Sequence, residues 1–264
     1  MTRAKGWFTR RSASVEVSEE DGVRSLHLGG DAIQSSIRLD RPDELALDYT
    51  RAMMAFLLFQ PQPQEVLMIG LGGGSMARYI HQRMPETRTT VVEINPKVLA
   101  AARSMFDFPA DDARLKVEIA DGADYVGDHA ESADVLLVDG FDDGKQPAAL
   151  ASQSFYDAAY TALRSGGVMA VNFMAQEKKL DVFLQRIEKS FDERAICLYA
   201  ADRVNRIAFA FKHHPPELAW AELKRRARQL GKTHDLPLQE FVIGLKELNP
   251  HTQAKLRLRS APAD

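Results

Sequence analysis

The sequence predicts an α/β fold: a doubly wound, mostly parallel sheet with one reversed strand near its end, preceded by a small N-terminal β unit. Three observations carry this. Between residues 65 and 191, short apolar runs alternate with amphipathic helical stretches, the pattern of strands joined by crossover helices. Residues 195–199 and 207–211 then form two apolar runs separated only by the polar segment 200–206, and so short a connection permits only antiparallel pairing. Upstream of residue 48, apolar residues instead alternate singly with polar ones, as in strands with one wet face.

In chain order, Val15, Glu16, Val17 and Ser18 alternate, Glu19-Glu20-Asp21-Gly22 reads as a turn, and residues 23–28 alternate again, which is a hairpin signal. Gly29-Gly30-Asp31 is a second turn before the short strand pattern of residues 32–37. Residues 45–59 read as a helix with an apolar stripe at Leu47, Met54 and Leu58, ended by Pro61-Gln62-Pro63. Val66-Leu67-Met68-Ile69 is wholly apolar, as a strand covered on both faces should be. Residues 75–84 are helical, with Ser75 read as N-cap, and residues 89–93 are a second strand. Asn95 followed by Pro96 is a helix start, and that helix runs to about residue 106. Residues 115–119 and 135–138 are the third and fourth strands. Residues 153–163 form a helix ended by Gly166-Gly167, residues 168–173 the fifth strand, and residues 180–191 a further helix. After Pro215-Pro216 the pattern is helical over 218–230 and 238–248. The chain thus divides into an N-terminal β-hairpin domain (1–48), a Rossmann-like domain (49–214) and a C-terminal helical extension with a polar tail (215–264).

Composition narrows the function. With 264 residues, 45% of them hydrophobic, the chain can bury a full core. A net charge of -3 gives no reason to expect nucleic acid or a membrane surface as partner. The single cysteine, Cys197, excludes an intrachain disulfide and lies in an apolar run, so it reads as a buried strand thiol. Neither a signal peptide nor an apolar stretch of spanning length is visible, and a cytoplasmic protein is expected.

The chemistry gathers at the strand ends. Gly70, Gly72, Gly73 and Gly74 surround Leu71 between a buried strand and a helix. Glycine lets a ligand approach the backbone closely, and the helix N-terminus behind it offers free N–H groups. Gly72, Gly74 and Ala77 fit the dinucleotide fingerprint. Glu93 ends the second strand, 20 residues after Gly73. An acid there hydrogen-bonds a ribose diol in dinucleotide and S-adenosyl folds alike, so these features point to an adenosine ligand without choosing between the two. Asp121-Gly122 follows the third strand, where an aspartate can accept the exocyclic amine of adenine. Asp139 ends the fourth strand, with Asp142 three residues later. Ligands of open α/β sheets bind at this edge, and the reversed strand favours the methyltransferase variant of the fold. Gly73-Gly74-Ser75-Met76-Ala77 lacks the final glycine of a nucleophile elbow.

These residues carry a resemblance. From about residue 15 to residue 211 the chain resembles the spermidine synthase family, the polyamine aminopropyltransferases. The matching pieces are Asp31-Ala32-Ile33-Gln34, Asp48-Tyr49, the stretch from Ile69 through Gly74, Val92-Glu93-Ile94-Asn95, Ala120-Asp121-Gly122-Ala123 and residues 134–142. The resemblance implies an N-terminal β-domain joined to an S-adenosylmethionine-methyltransferase-like domain. It also implies transfer of an aminopropyl group from decarboxylated S-adenosylmethionine to a small-molecule amine, with no metal, in a homodimer. Carried over by position, Gln34 would contact the methionine-derived chain, Glu93 the ribose and Asp121 the adenine. Tyr49 and Asp139 would flank the attacking amine, and Asp142 would hold it. The departures fall on the amine half. Gly73 stands where the family has an aspartate, followed by Gly74 and Ser75; Tyr79 replaces a glutamate although Arg78 is kept, Thr50 follows Tyr49 in place of glutamine, and Asp143 replaces a proline. A methyltransferase using intact S-adenosylmethionine and a non-catalytic adenosine-ligand-binding protein are the alternatives on the same scaffold.

Overall fold

The computed structural model describes residues 14–28, 33–141, 146–213, 215 and 218–258. The expectations resting on Gly29, Gly30, Asp31, Ala32, Asp142, Asp143 and Pro216 fall outside the described residues, as does the tail from residue 259.

The N-terminal strands β1 (Val15–Glu20), β2 (Val23–Leu28) and β3 (Ile33–Arg38) form an antiparallel sheet in that order. The β1–β2 turn is two residues long, and both Asp21 and Gly22 take positive φ, the backbone that matches strand twist in a tight hairpin.

The second sheet has seven strands. They are β4 (Glu65–Ile69), β5 (Arg88–Glu93), β6 (Leu115–Ile119), β7 (Ala133–Val138), β8 (Leu163–Met174), β9 (Ala195–Tyr199) and β10 (Asn205–Phe211), in spatial order β6-β5-β4-β7-β8-β10-β9. From β6 to β8 all pairs are parallel, while β10 runs antiparallel to both β8 and β9. The reversed strand therefore lies one place in from the sheet edge, and the short 200–204 link from β9 accounts for the antiparallel pairing of those two strands. Strand order reverses between β4 and β7, which opens a crevice beyond their carboxyl ends.

Alternation along the strands builds two cores. Val66, Met68, Val135, Leu137 and Phe209 face one side with Ala77 of α2 (Ser75–Arg83), Ala102 of α3 (Pro96–Met105), Leu223 of α7 (Trp220–His234) and Phe241 of α8 (Leu238–Leu248). Leu67, Ile69, Leu136 and Val138 face the other with Val126 of α4 (Gly122–Asp128), Phe155 of α5 (Gln153–Ala162) and Phe183 of α6 (Leu180–Ser190). Leu26 and Ile37 of the small sheet belong to the first core. Cys197 is buried in β9, as its apolar run predicts.

Several elements differ from the sequence reading. The expected helix over 45–59 is α1 (Asp48–Met53) followed by a tighter 3-10 segment, Met54–Leu58. Every residue of that segment is buried, so it is enclosed on all sides instead of showing one apolar stripe, and Arg226 of α7 caps it by donating to the Leu58 carbonyl at 3.0 Å. Helix α4 was not predicted; Asp121 starts it by accepting the Ala123 N–H at 2.8 Å. Helix α5 ends at Ala162, before the glycines, and β8 begins five residues ahead of Val168 with an irregular register opposite Ala133–Val135. Helix α7 continues through Gly231 to His234. Ser75 is not a cap: Gly74, with φ 77°, occupies the N-cap position, and Ser75 is the first helical residue. Asn95 does cap α3, accepting the Lys97 N–H.

Candidate active site

A cavity of about 600 Å³ lies at the carboxyl edge of β4, β5, β7 and β8, a volume typical of small-molecule sites. The reversed direction of β10 brings its first residue to the same edge. Of the sequence-predicted residues, Gly70, Gly72, Glu93, Asp121 and Gly122 line the end of the cavity formed by the β4, β5 and β6 loops. Gln34, Tyr49 and Asp139 line it as well.

The glycine loop is shaped by its neighbours. Gly70 has φ 96°, and a Cβ there would stand 2.4 Å from the Asp139 carbonyl oxygen, so the strand ends of β4 and β7 touch only because this residue has no side chain. Gly73 and Gly74, expected to bind the ligand, do not line the cavity. A Cβ on Gly73 would meet Ser35 Oγ at 2.8 Å and the Phe106 ring at 2.9 Å, and one on Gly74 would strike the Phe108 ring at 2.3 Å. These two glycines let the loop pack beneath the small sheet and against α3's end.

Glu93 is buried and pinned by both oxygens: Oε2 accepts the Leu71 N–H at 2.9 Å and Oε1 the Asn95 N–H at 2.8 Å. Burial pushes its pKa up, while these backbone donors pull it back. Asp121 is exposed at the cavity wall, with Oδ1 committed to its helix cap. Asp139 is open to the cavity but otherwise walled by protein. Burial raises its pKa to about 7, against hydrogen bonds from Asn172 and Tyr49 that favour the ionised form. The Tyr49 hydroxyl lies between two acceptors, the Gln34 backbone oxygen at 3.0 Å and the Asp139 carboxylate, and it has one proton to give. Burial and the nearby Asp139 charge push the phenol pKa well up, so Tyr49 stays protonated as a donor.

Sequence reasoning missed Asn172, Asp202 and Asn205, all of which line the cavity. Asn172 had a visible signal as the one polar side chain in the buried run from Val168 to Phe173 of β8. Asn205 and Asp202 required knowing that the reversed strand starts at the ligand edge. Among the described residues the cavity wall carries Glu93, Asp121, Asp139 and Asp202 and no lysine, arginine or histidine.

Residues 47–201 match the spermine/spermidine synthase domain. A polyamine aminopropyltransferase of Chromobacterium violaceum is 42% identical over 242 residues, covering 92% of this chain and 93% of that protein. Human methyltransferase-like protein 13, solved with SAH, is 30% identical with TM-score 0.64, over 72% of this chain and 93% of that one. A spermidine synthase solved with the transition-state analogue AdoDATO superimposes with TM-score 0.71 at 22% identity, over 89% of this chain and 82% of that one, a likeness of fold. With the domain match spanning more than half of its length, this chain belongs to the spermine/spermidine synthase family.

Proposed function

We propose that this protein transfers an aminopropyl group from decarboxylated S-adenosylmethionine to a small amine. The observation that carries this reading is the charge of the cavity: four carboxylates and no basic side chain among its described lining residues. A phosphate-bearing dinucleotide would bring anions against those acids. The decarboxylated donor brings a sulfonium and an ammonium, and an amine acceptor brings more positive charge; carboxylates offset the desolvation of such cations. Intact S-adenosylmethionine also carries a carboxylate, for which the described wall supplies no cationic partner.

The residues divide between donor and acceptor. Glu93, already fixed by Leu71 and Asn95, presents its remaining lone pairs to a ribose diol, and the free oxygen of Asp121 faces the adenine amine. Gly70 and Gly72 let the methionine-derived chain pass close to the backbone, beside Gln34. The donor supplies a carbon already activated by positive sulfur. Asp139 takes the proton that an ammonium must lose before its nitrogen can attack, and a pKa near 7 suits a base working near neutrality. Tyr49 orients that carboxylate. Asp142 is proposed to hold the acceptor on resemblance alone.

The test is incubation of purified protein with the decarboxylated donor and a panel of amines, with mass spectrometry of the products. An added aminopropyl group supports the reading; no transfer to any amine despite donor binding opposes it. Methyl transfer from intact S-adenosylmethionine is the second reading, favoured by Gly73 in place of an acid and by the likeness to the human methyltransferase-like protein. The same incubation with the intact donor separates them. Cytoplasmic location, homodimerisation and the division at residues 48 and 214 belong to this proposal too. Fractionation, light scattering and limited proteolysis test each in turn.

A further inference from the structure

Two buried asparagines stand behind Asp139. Asn172, 2% exposed, donates from Nδ2 to Asp139 Oδ1 at 2.9 Å, and Asn205, 7% exposed, donates from Nδ2 to Asn172 Oδ1 at 2.9 Å. The three residues come from three neighbouring strands. Asp139 follows Val138, the partner of Val171 in the parallel pairing of β7 and β8; Asn172 is next along β8; and Asn205 opposes Met174 where β10 begins. The chain of donors has one consistent direction. An ionised carboxylate only accepts, so Asn172 must present its amide nitrogen to Asp139, which leaves its oxygen facing Asn205. Asn205 must then donate, and its nitrogen also lies 3.7 Å from the Met174 sulfur, a weak acceptor.

Nothing in the fold asks for these amides. The rest of β8 from Val168 to Phe173 is apolar and buried, and from Ile207 to Phe211 β10 is too. Asparagine is disfavoured inside strands, and burying an amide is unfavourable unless each of its groups finds a partner. A pair of aliphatic side chains would fill the same space. Both amides also line the cavity, so they are placed against the reacting carboxylate and not in the sheet's far interior.

We infer that Asn172 and Asn205 are positioning residues for Asp139, a two-amide relay that holds Oδ1 in place and turns the other carboxylate oxygen toward the acceptor amine. This rests on the reading of Asp139 as the proton acceptor. The groups facing Asp139 from its packed neighbours are Tyr49 of α1, Asn172 of β8 and the backbone of Gly70; Glu93, Asp121 and Asp202 are the other acids on the described cavity wall, and no described cation lies there. Without the relay the ionised form loses a donor, so the Asp139 pKa rises and its orientation loosens.

The decisive experiment uses Asn172→Leu and Asn205→Leu, which keep side-chain bulk and add no charge. Asp139 is titrated by carbon-13 NMR of carboxyl-labelled aspartate, with Asp139→Asn identifying its resonance. Both variants should raise the Asp139 pKa, by roughly one unit for Asn172→Leu and less for Asn205→Leu. In turnover the acid limb of the pH profile should move up to match, and kcat at pH 7 should fall about fivefold for Asn172→Leu with donor KM unchanged. An unchanged Asp139 titration in Asn205→Leu overturns the relay, and in both variants it overturns the whole inference. If either leucine variant fails to fold, the matching alanine variant, Asn172→Ala or Asn205→Ala, is titrated instead; loss of the donor should again raise the Asp139 pKa, and an unchanged titration overturns the relay. The NMR readout needs no turnover, so a wild-type protein that transfers no aminopropyl group would sink the proposed function while the relay is judged on its own.

Discussion

The carboxylate of Glu93 accepts the Leu71 N–H at 2.9 Å, tying the end of β5 to the glycine loop that follows β4. Its other oxygen holds Asn95, the cap of α3, so one buried acid orders two loops at the edge of the cavity. Glu93→Gln replaces one acceptor oxygen with an amide nitrogen, which then faces a backbone N–H. Glu93→Gln should weaken binding of decarboxylated S-adenosylmethionine by roughly 10- to 100-fold, the range expected when a charged hydrogen-bond acceptor is lost. Isothermal calorimetry measures this directly. Affinity within threefold of wild type would remove Glu93 from the donor site.

Asp139 gives a pH dependence with a definite sign. Its pKa in the folded protein is near 7, above the value of about 4 for an unfolded aspartate. As a base it works only when ionised, so kcat/KM should rise with pH through about 7 and level off above. Asp139→Asn should abolish transfer, by at least 100-fold, and leave donor binding intact. The linkage runs the same way. Between pH 4 and 7 the folded state holds more protons at this site than the unfolded state, so the wild type loses stability as pH rises through that window. Asp139→Asn lacks this loss, and its Tm relative to wild type should therefore be higher at pH 8 than at pH 5.

Gly73 offers a contrast between sequence logic and space. The family resemblance places an amine-binding acid at this position, which makes Gly73→Asp look like a simple restoration. In the structure the Cβ would meet Ser35 Oγ and the Phe106 ring, under 3 Å from each, and Gly73 itself does not line the cavity. Gly73→Asp should destabilise the protein by about 1–3 kcal/mol and leave donor affinity unimproved. Denaturant unfolding and calorimetry on the same variant measure both, and tighter donor binding at unchanged stability would contradict the packing seen here.

The end of the cavity formed by the β4, β5 and β6 loops was legible because its residues sit where the chain turns. Glycines, an acid ending β5 and Asp121 after β6 follow apolar runs, and strand alternation alone puts them at one edge. Asn172 and Asn205 were harder, since what joins them is pairing between β8 and a strand that follows it only after a helix and another strand, and a sequence window holds no record of that neighbour. The division of the glycine loop was also hidden: Gly70 and Gly72 line the cavity while Gly73 and Gly74 pack against the Phe106 and Phe108 rings, a distinction set by tertiary packing. Helix α4 escaped because it is a single short segment whose cap, Asp121, doubles as a site residue. The 3-10 segment escaped because its apolar residues do not mark one face.

The C-terminal helices carry a stabilising contact that can be isolated. Strand β9 lies at the end of the sheet order, and the edge of such a strand carries backbone groups that lack a neighbouring strand. Asn249, just past α8, fills that role for Cys197. Its Oδ1 accepts the Cys197 N–H at 2.7 Å, while its Nδ2 donates to the Cys197 carbonyl at 2.7 Å and to the Leu245 carbonyl at 2.6 Å. The side-chain amide thus pairs with both backbone groups of one residue, as a strand would, and ties the last turn of α8 to the sheet. Both residues are buried, so water does not readily replace these partners. Asn249→Ala should cost about 2–4 kcal/mol, from the loss of three buried hydrogen bonds at about 1 kcal/mol each. Asn249→Asp keeps the acceptor but loses both donations and sets a carboxylate against two carbonyl oxygens, so it should be at least as damaging. Equilibrium denaturation of both variants decides the matter: a loss below about 0.5 kcal/mol for Asn249→Ala would mean that α8 is held by its apolar face alone, through Leu238, Phe241, Val242 and Leu245.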